Sequence, residues 1–146
     1  MNVQFRAFAP CDVQTVRSKM PYAMTEHTKG IVAYNADTAE TLAVFMAEDW
    51  TKTSVSVHQV ILNSMVLRHR WFETIADFIY TQAGRKKMFA VVPDNNARAI
   101  SLNEKIGFHQ VARLEDAVDE GIDYIVMEMS REDCNFWVQP AQQKVA

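Results

Sequence analysis

Polar and apolar positions alternate along residues 2 to 8, NVQFRAF, placing Val3, Phe5 and Ala7 on one side as in a half-buried strand. Pro10 and Asp12 then open a short amphipathic helix in CDVQTVRSKM, with Val13, Val16 and Met20 on its inner face. PYAMTEHTKG, residues 21 to 30, keeps neither period. It reads as a connection in preference to a mobile segment on the substrate side. Three strand-like runs follow at 30–36, 41–50 and 54–63, joined by DTAE and TKT, which are short enough for hairpins. Successive hairpins predict an antiparallel meander. From Leu67 the period lengthens: Leu67, Trp71, Phe72, Ile75, Phe78 and Ile79 share one helical stripe, and Gly84 supplies a stop.

KKMFAVV, 86–92, reads as a buried strand, a second helix spans 96–106, and strands at 108–114 and 122–129 flank EDAVDEG, an acidic hairpin loop. Strand, long helix, strand is a crossover, so 54–63 and 86–92 are predicted to be parallel neighbours. The pattern predicts an α/β architecture: a mixed sheet of about seven strands with helices on both faces and a central parallel pair. Residues 1–130 make one domain and 131–146 a tail. A chain of 146 residues, 49% hydrophobic and 23% charged, can bury a core of that size.

A net charge of −3 gives no general attraction to nucleic acid or to anionic lipid. No apolar run reaches bilayer length, and MNVQFRAFAPCDVQ lacks the plan of a signal peptide, so a cytoplasmic protein, or one assembled into a particle there, is expected. Cys11 and Cys134 stand alone near opposite ends, without CxxC spacing or neighbouring histidines. Free thiols are expected, with no metal site.

The stretch from Asn96 to Phe108 holds more. Asn96, Ala99, Lys105, Gly107 and Phe108 fall at the spacing that follows the fifth strand in the GNAT superfamily, the acetyl-coenzyme-A-dependent N-acyltransferases, and the chain resembles that family in motif over 86–108 and in element order over roughly 2–130. The resemblance implies that an amine attacks a thioester carbonyl held near a bulge in the fourth strand, while a base takes the ammonium proton and an acid protonates the departing thiolate. It also implies that the pantetheine arm lies where strands four and five splay apart. The cofactor would be acetyl-coenzyme A.

Two parts of the family's pattern are missing. Its pyrophosphate loop is glycine-rich at the start of the long helix, whereas NSMVLRHRWFET, 63–74, has no glycine. Arg68, His69 and Arg70 are the candidates to hold phosphate through side chains instead, with Asn96 as a further cofactor contact. The family's tyrosine acid is replaced by Asn103, an amide that cannot donate a proton in the usable pH range, and Ser101 is turned about 160° away from it on a helix. For the base, the candidates are His58 in the fourth strand, on a face with Ser56 and Val60, and Glu48 or Asp49 at the end of the third.

Phe136, Trp137 and Val138 form an apolar cluster after the last strand, which either folds back or docks onto a protein partner or a second copy. Two functions are therefore in play. One is an acetyl-coenzyme-A-dependent N-acetyltransferase with an arginine-based phosphate site. The other, favoured by the joint loss of loop and acid, is a non-catalytic or weakly active binding or assembly module. The chain is similar to GNAT-like proteins of tailed bacteriophages, which implies a virion component as one form of that module.

Overall fold

The computed structural model describes residues 1–140. Seven strands form one sheet in the order β1-β2-β3-β4-β5-β7-β6, with β4 and β5 the parallel neighbours. In chain order the elements are β1 (Val3–Ala7), α1 (Val13–Arg17), β2 (Lys29–Asn35), β3 (Thr41–Glu48), β4 (Ser54–Ile61), α2 (Trp71–Ala76), β5 (Lys87–Pro93), α3 (Ala97–Ile106), β6 (His109–Asp119) and β7 (Ile122–Ser130). The mixed α/β sheet read from the periodicities is present. Two compact units divide it, one of residues 1–50 with 56–75, the other of 51–55 with Ala76 onward.

In the first unit β1 to β4 make the antiparallel meander. β3 is buried at every position from Leu42 to Ala47, as a strand covered on both faces must be. Val32, Val44, Met46 and Val60 lie on one face and pack with Phe8 and with Val13 and Val16 from the α1 region. Phe5, Phe45 and Gln59 alternate to the other face, where Trp71 at the start of α2 stacks on Phe5 with centroids 6.4 Å apart and donates its indole N–H to Gln59 at 3.0 Å. Helices thus cover both faces here. Gly30 permits the close approach of β2 to its neighbours, because a methyl built on it would overlap the Phe45 carbonyl and press on Phe8.

α1 is shorter than the stretch 11–20 predicted from its amphipathic pattern. Pro10–Asp12 form a 3-10 turn first, since Asp12 turns inward to accept hydrogen bonds from the Ala9 N–H at 2.9 Å and from both Arg6 guanidinium nitrogens at 2.6 and 2.8 Å. Burial disfavours the Asp12 carboxylate, but the Arg6 fork and the Ala9 N–H outweigh it and hold the carboxyl below its usual value. A depressed carboxyl stabilises the fold above its unfolded value of about 3.9 and loses that contribution as pH falls through the lower folded value. Acid titration of the melting temperature should therefore drop below about pH 4, and Asp12→Asn should flatten that drop. An unchanged acid limb in Asp12→Asn would contradict the assignment.

The long helix expected from Leu67 onward is also divided. Asn63 accepts from the Met65 N–H and starts a 3-10 turn over Ser64–Arg68, and Arg70 adopts a left-handed backbone at φ 65° before α2 begins. α2 runs directly into a π-helical turn over Asp77–Gln82, and Gly84 ends it at φ 67°.

In the second unit β5 pairs with β7 and β7 with β6, both antiparallel. Gly107 closes α3 at φ 132°, and a methyl there would overlap the Asp133 carbonyl, so the position is restricted twice over. The acidic stretch 115–121, expected as a loop, is a correction. β6 continues to Asp119, and only Glu120–Gly121 turn. The carboxylates are absorbed locally: Asp123 accepts from the Asp116 N–H and from Arg113, Asp116 accepts from the Gly121 N–H, and the ladder is irregular between Leu114 and Asp119. All eleven β6 residues are exposed. Among the described residues no helix is long and apolar enough to cross a membrane.

Candidate functional site

The register of the β3–β4 hairpin sets Glu48 opposite Ser56 and Met46 opposite His58. His58 is therefore the diagonal neighbour of Glu48 on one face, within reach of a long side chain. His58 Nε2 lies 2.9 Å from Glu48 Oε1, with the two side chains 26% and 15% exposed. The sequence offered these two as separate candidates, and the hairpin joins them. Asp49, the other carboxylate at that strand end, stands apart in an exposed left-handed turn at φ 54°.

Glu48 Oε2 faces the segment between α1 and β2. Thr28 Oγ1 is 3.3 Å from it and the Tyr22 hydroxyl 3.5 Å, while the Tyr22 ring meets the His58 imidazole at 6.1 Å between centroids and 67° between planes. Burial, with Glu48 adding to it, pushes the Tyr22 phenol above its usual value, so it stays protonated. Segment 21–28 is a connection, but an anchored one: Tyr22 and Met24 pack against the α1-side core, and Trp50 donates its indole N–H to the His27 carbonyl at 3.0 Å. Sequence reasoning missed Tyr22 and Thr28 because the segment has no period. Its available signals were the Thr25-x-x-Thr28 spacing of a local turn and an aromatic in a polar stretch.

The imidazole has a definite polarity. Hydrogen bonding to a carboxylate assigns the proton to Nε2 and leaves Nδ1 with a lone pair. Among the described residues no protein group bonds Nδ1. A half-buried histidine held at one nitrogen and unoccupied at the other can accept a proton from a bound molecule.

Arg68 and Arg70 are exposed and form no ion pair among the described residues, and His69 is half-buried. Three N–H groups of this turn are used: those of Met65, Val66 and His69 bond to Asn63 Oδ1, the Asn63 carbonyl and the Val66 carbonyl. They cannot also surround a phosphate. In the second unit Asn96 caps α3 by accepting from the Ala99 N–H at 3.2 Å. Asn103 is buried at 7% exposure, its side-chain amide directed at the Met127 sulfur 3.8 Å away and its backbone carbonyl accepting from the N–H groups of Gly107 and Phe108.

Beyond β7, Trp137 donates to Thr81 Oγ1 at 3.0 Å, meets Tyr80 edge-on at 5.7 Å and lies under Arg131. Asn135 bonds the carbonyls of Lys105 and Ile106. Of the three residues in the apolar cluster, Trp137 is folded back, Phe136 is half-buried and Val138 remains half exposed. The final part of the tail, 141–146, lies outside the described residues. Cys11 and Cys134 are free thiols, and no cluster of ligands suited to a metal occurs among the described residues.

No protein-family model matches the sequence, and no curated protein matches it significantly. Solved structures do match. The spermidine N-acetyltransferase from Vibrio cholerae in complex with CoA and spermine superposes with a TM-score of 0.72 at 13% identity, covering 90% of this chain and 97% of that one. The same enzyme in complex with manganese ions gives 0.70 at 15% identity, covering 90% and 94%, and a point mutant gives 0.74 at 13%, covering 90% and 95%. The chain has the GNAT fold that the Asn96–Phe108 motif implied. At these identities the likeness extends to the fold and no further.

Proposed function

We propose that this chain is an N-acyltransferase that draws its acyl group from acyl-coenzyme A, with His58 as general base for an amine acceptor and Glu48 holding it. The observation that carries this reading is the 2.9 Å contact between His58 Nε2 and Glu48 Oε1, with Nδ1 unbonded among the described residues. An alkylammonium loses its proton near pH 10.4, so at neutral pH only about one molecule in a thousand is nucleophilic. Nδ1 accepts that proton, and the adjacent carboxylate stabilises the imidazolium that results.

Acyl-coenzyme A supplies an activated thioester carbonyl. Its phosphates suit the exposed guanidinium groups of Arg68 and Arg70, which form no ion pair among the described residues, more than a backbone cradle, because three N–H groups of that turn are already bonded. Asn103 gives no acid, but a thiol ionises near pH 8.5 and leaves as thiolate at modest cost. The missing tyrosine therefore weakens the enzyme reading less than a missing base would.

A second reading, a non-catalytic binding or assembly module of which a virion component is one form, is favoured by the burial of Asn103 against Met127 and by the consumed backbone groups at 65, 66 and 69. One assay separates them. Incubated with acetyl-coenzyme A and an amine series beginning with spermidine, the acceptor of the structural neighbours, the protein should release free thiol in an amine-dependent way. Arg68→Ala and Arg70→Ala should each raise the KM for the acyl donor about tenfold, as expected for loss of a charge-assisted bond. No thiol release, together with no heat in a calorimetric titration at millimolar acetyl-coenzyme A, would leave the module as the function.

A further inference from the structure

We infer that Thr28, backed by Tyr22, is a positioning residue that fixes His58 through Glu48. The catalytic consequence rests on the acyltransferase reading, whereas the geometry does not. A hydroxyl has a single proton to give. Thr28 Oγ1 accepts from the Thr25 N–H at 3.0 Å and lies 3.3 Å from the Tyr22 hydroxyl, from Thr25 Oγ1 and from Glu48 Oε2; of these oxygens only the carboxylate is charged, so it is the preferred acceptor of the Thr28 proton. The Tyr22 hydroxyl is farther from the same oxygen, at 3.5 Å, than it is from Thr28. Tyr22 instead supplies Thr28 and packs against the imidazole edge.

The chain of contacts has one direction: Thr25 N–H to Thr28, Thr28 to Glu48, Glu48 to the N–H of His58. Such chains polarise in sequence, and their outer members orient the inner ones. Thr28 is 8% exposed, so its bonds face little competition from solvent. A carboxylate turns easily about its terminal torsion. Bound on Oε1 alone, Glu48 would let the imidazole rotate and exchange tautomers. Bound on both oxygens, it keeps Nε2 protonated and Nδ1 free.

The test compares Thr28→Val, Thr28→Ser and Tyr22→Phe with the unaltered protein in two readouts. In amine acylation, Thr28→Val should lower kcat about tenfold with the amine KM unchanged, Thr28→Ser should restore most of it, and Tyr22→Phe should lower it about threefold. Nitrogen-15 spectra of His58 should show a predominantly Nε2-protonated ring in the unaltered protein and a mixture of tautomers in Thr28→Val. An unshifted tautomer ratio in both Thr28→Val and Tyr22→Phe overturns the inference whatever the activity. A shifted ratio in a protein with no acylation sustains the inference and overturns the acyltransferase reading instead. If Thr28→Val does not fold, the ratio in Tyr22→Phe decides, with no shift counting against the inference.

Discussion

His58→Gln is expected to reduce amine acylation at neutral pH by about a hundredfold or more, the usual worth of a positioned general base. Glutamine keeps a donor for Glu48 and nearly fills the site, so the loss reports proton transfer and little else. The pH dependence is the sharper measure. As pH rises toward about 10.4 the acceptor loses its proton unaided, and the deficit of His58→Gln should shrink with the rising fraction of free amine. A deficit that stays constant across that range would mean that His58 has a different role, such as holding the acceptor. A melting temperature close to that of the unaltered protein is the control for folding.

Trp71→Ala should cost about 3–5 kcal/mol, the range for deleting a large aromatic from a packed core. The indole is fully buried and touches two strands at once, stacking on Phe5 from β1 and hydrogen-bonding Gln59 from β4. Removing it leaves a void and an unpaired Gln59 amide. At about 2–4 °C per kcal/mol for a chain near this length, the melting temperature should fall by about 10 °C. Trp71→Phe should lose much less, because it keeps the stack and forfeits only the N–H. Equal losses in the two variants would place the energy in the hydrogen bond and not in the packing.

How far the residues alone carried this picture depended on whether a local period existed. β3 and β4 alternate or run apolar without a break, and the five fixed positions from Asn96 to Phe108 sit in a helix with a capping asparagine and a glycine that alone tolerates φ 132°. Those features are local and were legible. The 3-10 turn at Ser64–Arg68 was not, because Leu67 continues the helical stripe and the break comes from the Asn63 side chain and the left-handed Arg70. β6 was cut short because Glu115, Asp116 and Asp119 look like a loop until the backbone N–H groups of Gly121 and Glu120, which bind Asp116 and Asp119, and the Asp123 carboxylate, which accepts from Arg113 and the Asp116 N–H, are placed. In the site, His58 and Glu48 were visible as chemistry, but their pairing depends on hairpin register, and Tyr22 and Thr28 reach them by tertiary contact that no spacing encodes.

β6 is last in the sheet order and exposed along all eleven residues, with Val111, Leu114 and Val118 among its side chains. An open apolar rim of that length invites sideways growth, strand upon strand, into fibrils. Asp116 bends the rim at φ 52°, and Glu115, Asp119 and Glu120 crowd negative charge at the same end. The acidic hairpin thus works against runaway self-stacking, and neutralising Glu115, Asp119 and Glu120 should raise the tendency of the chain to aggregate.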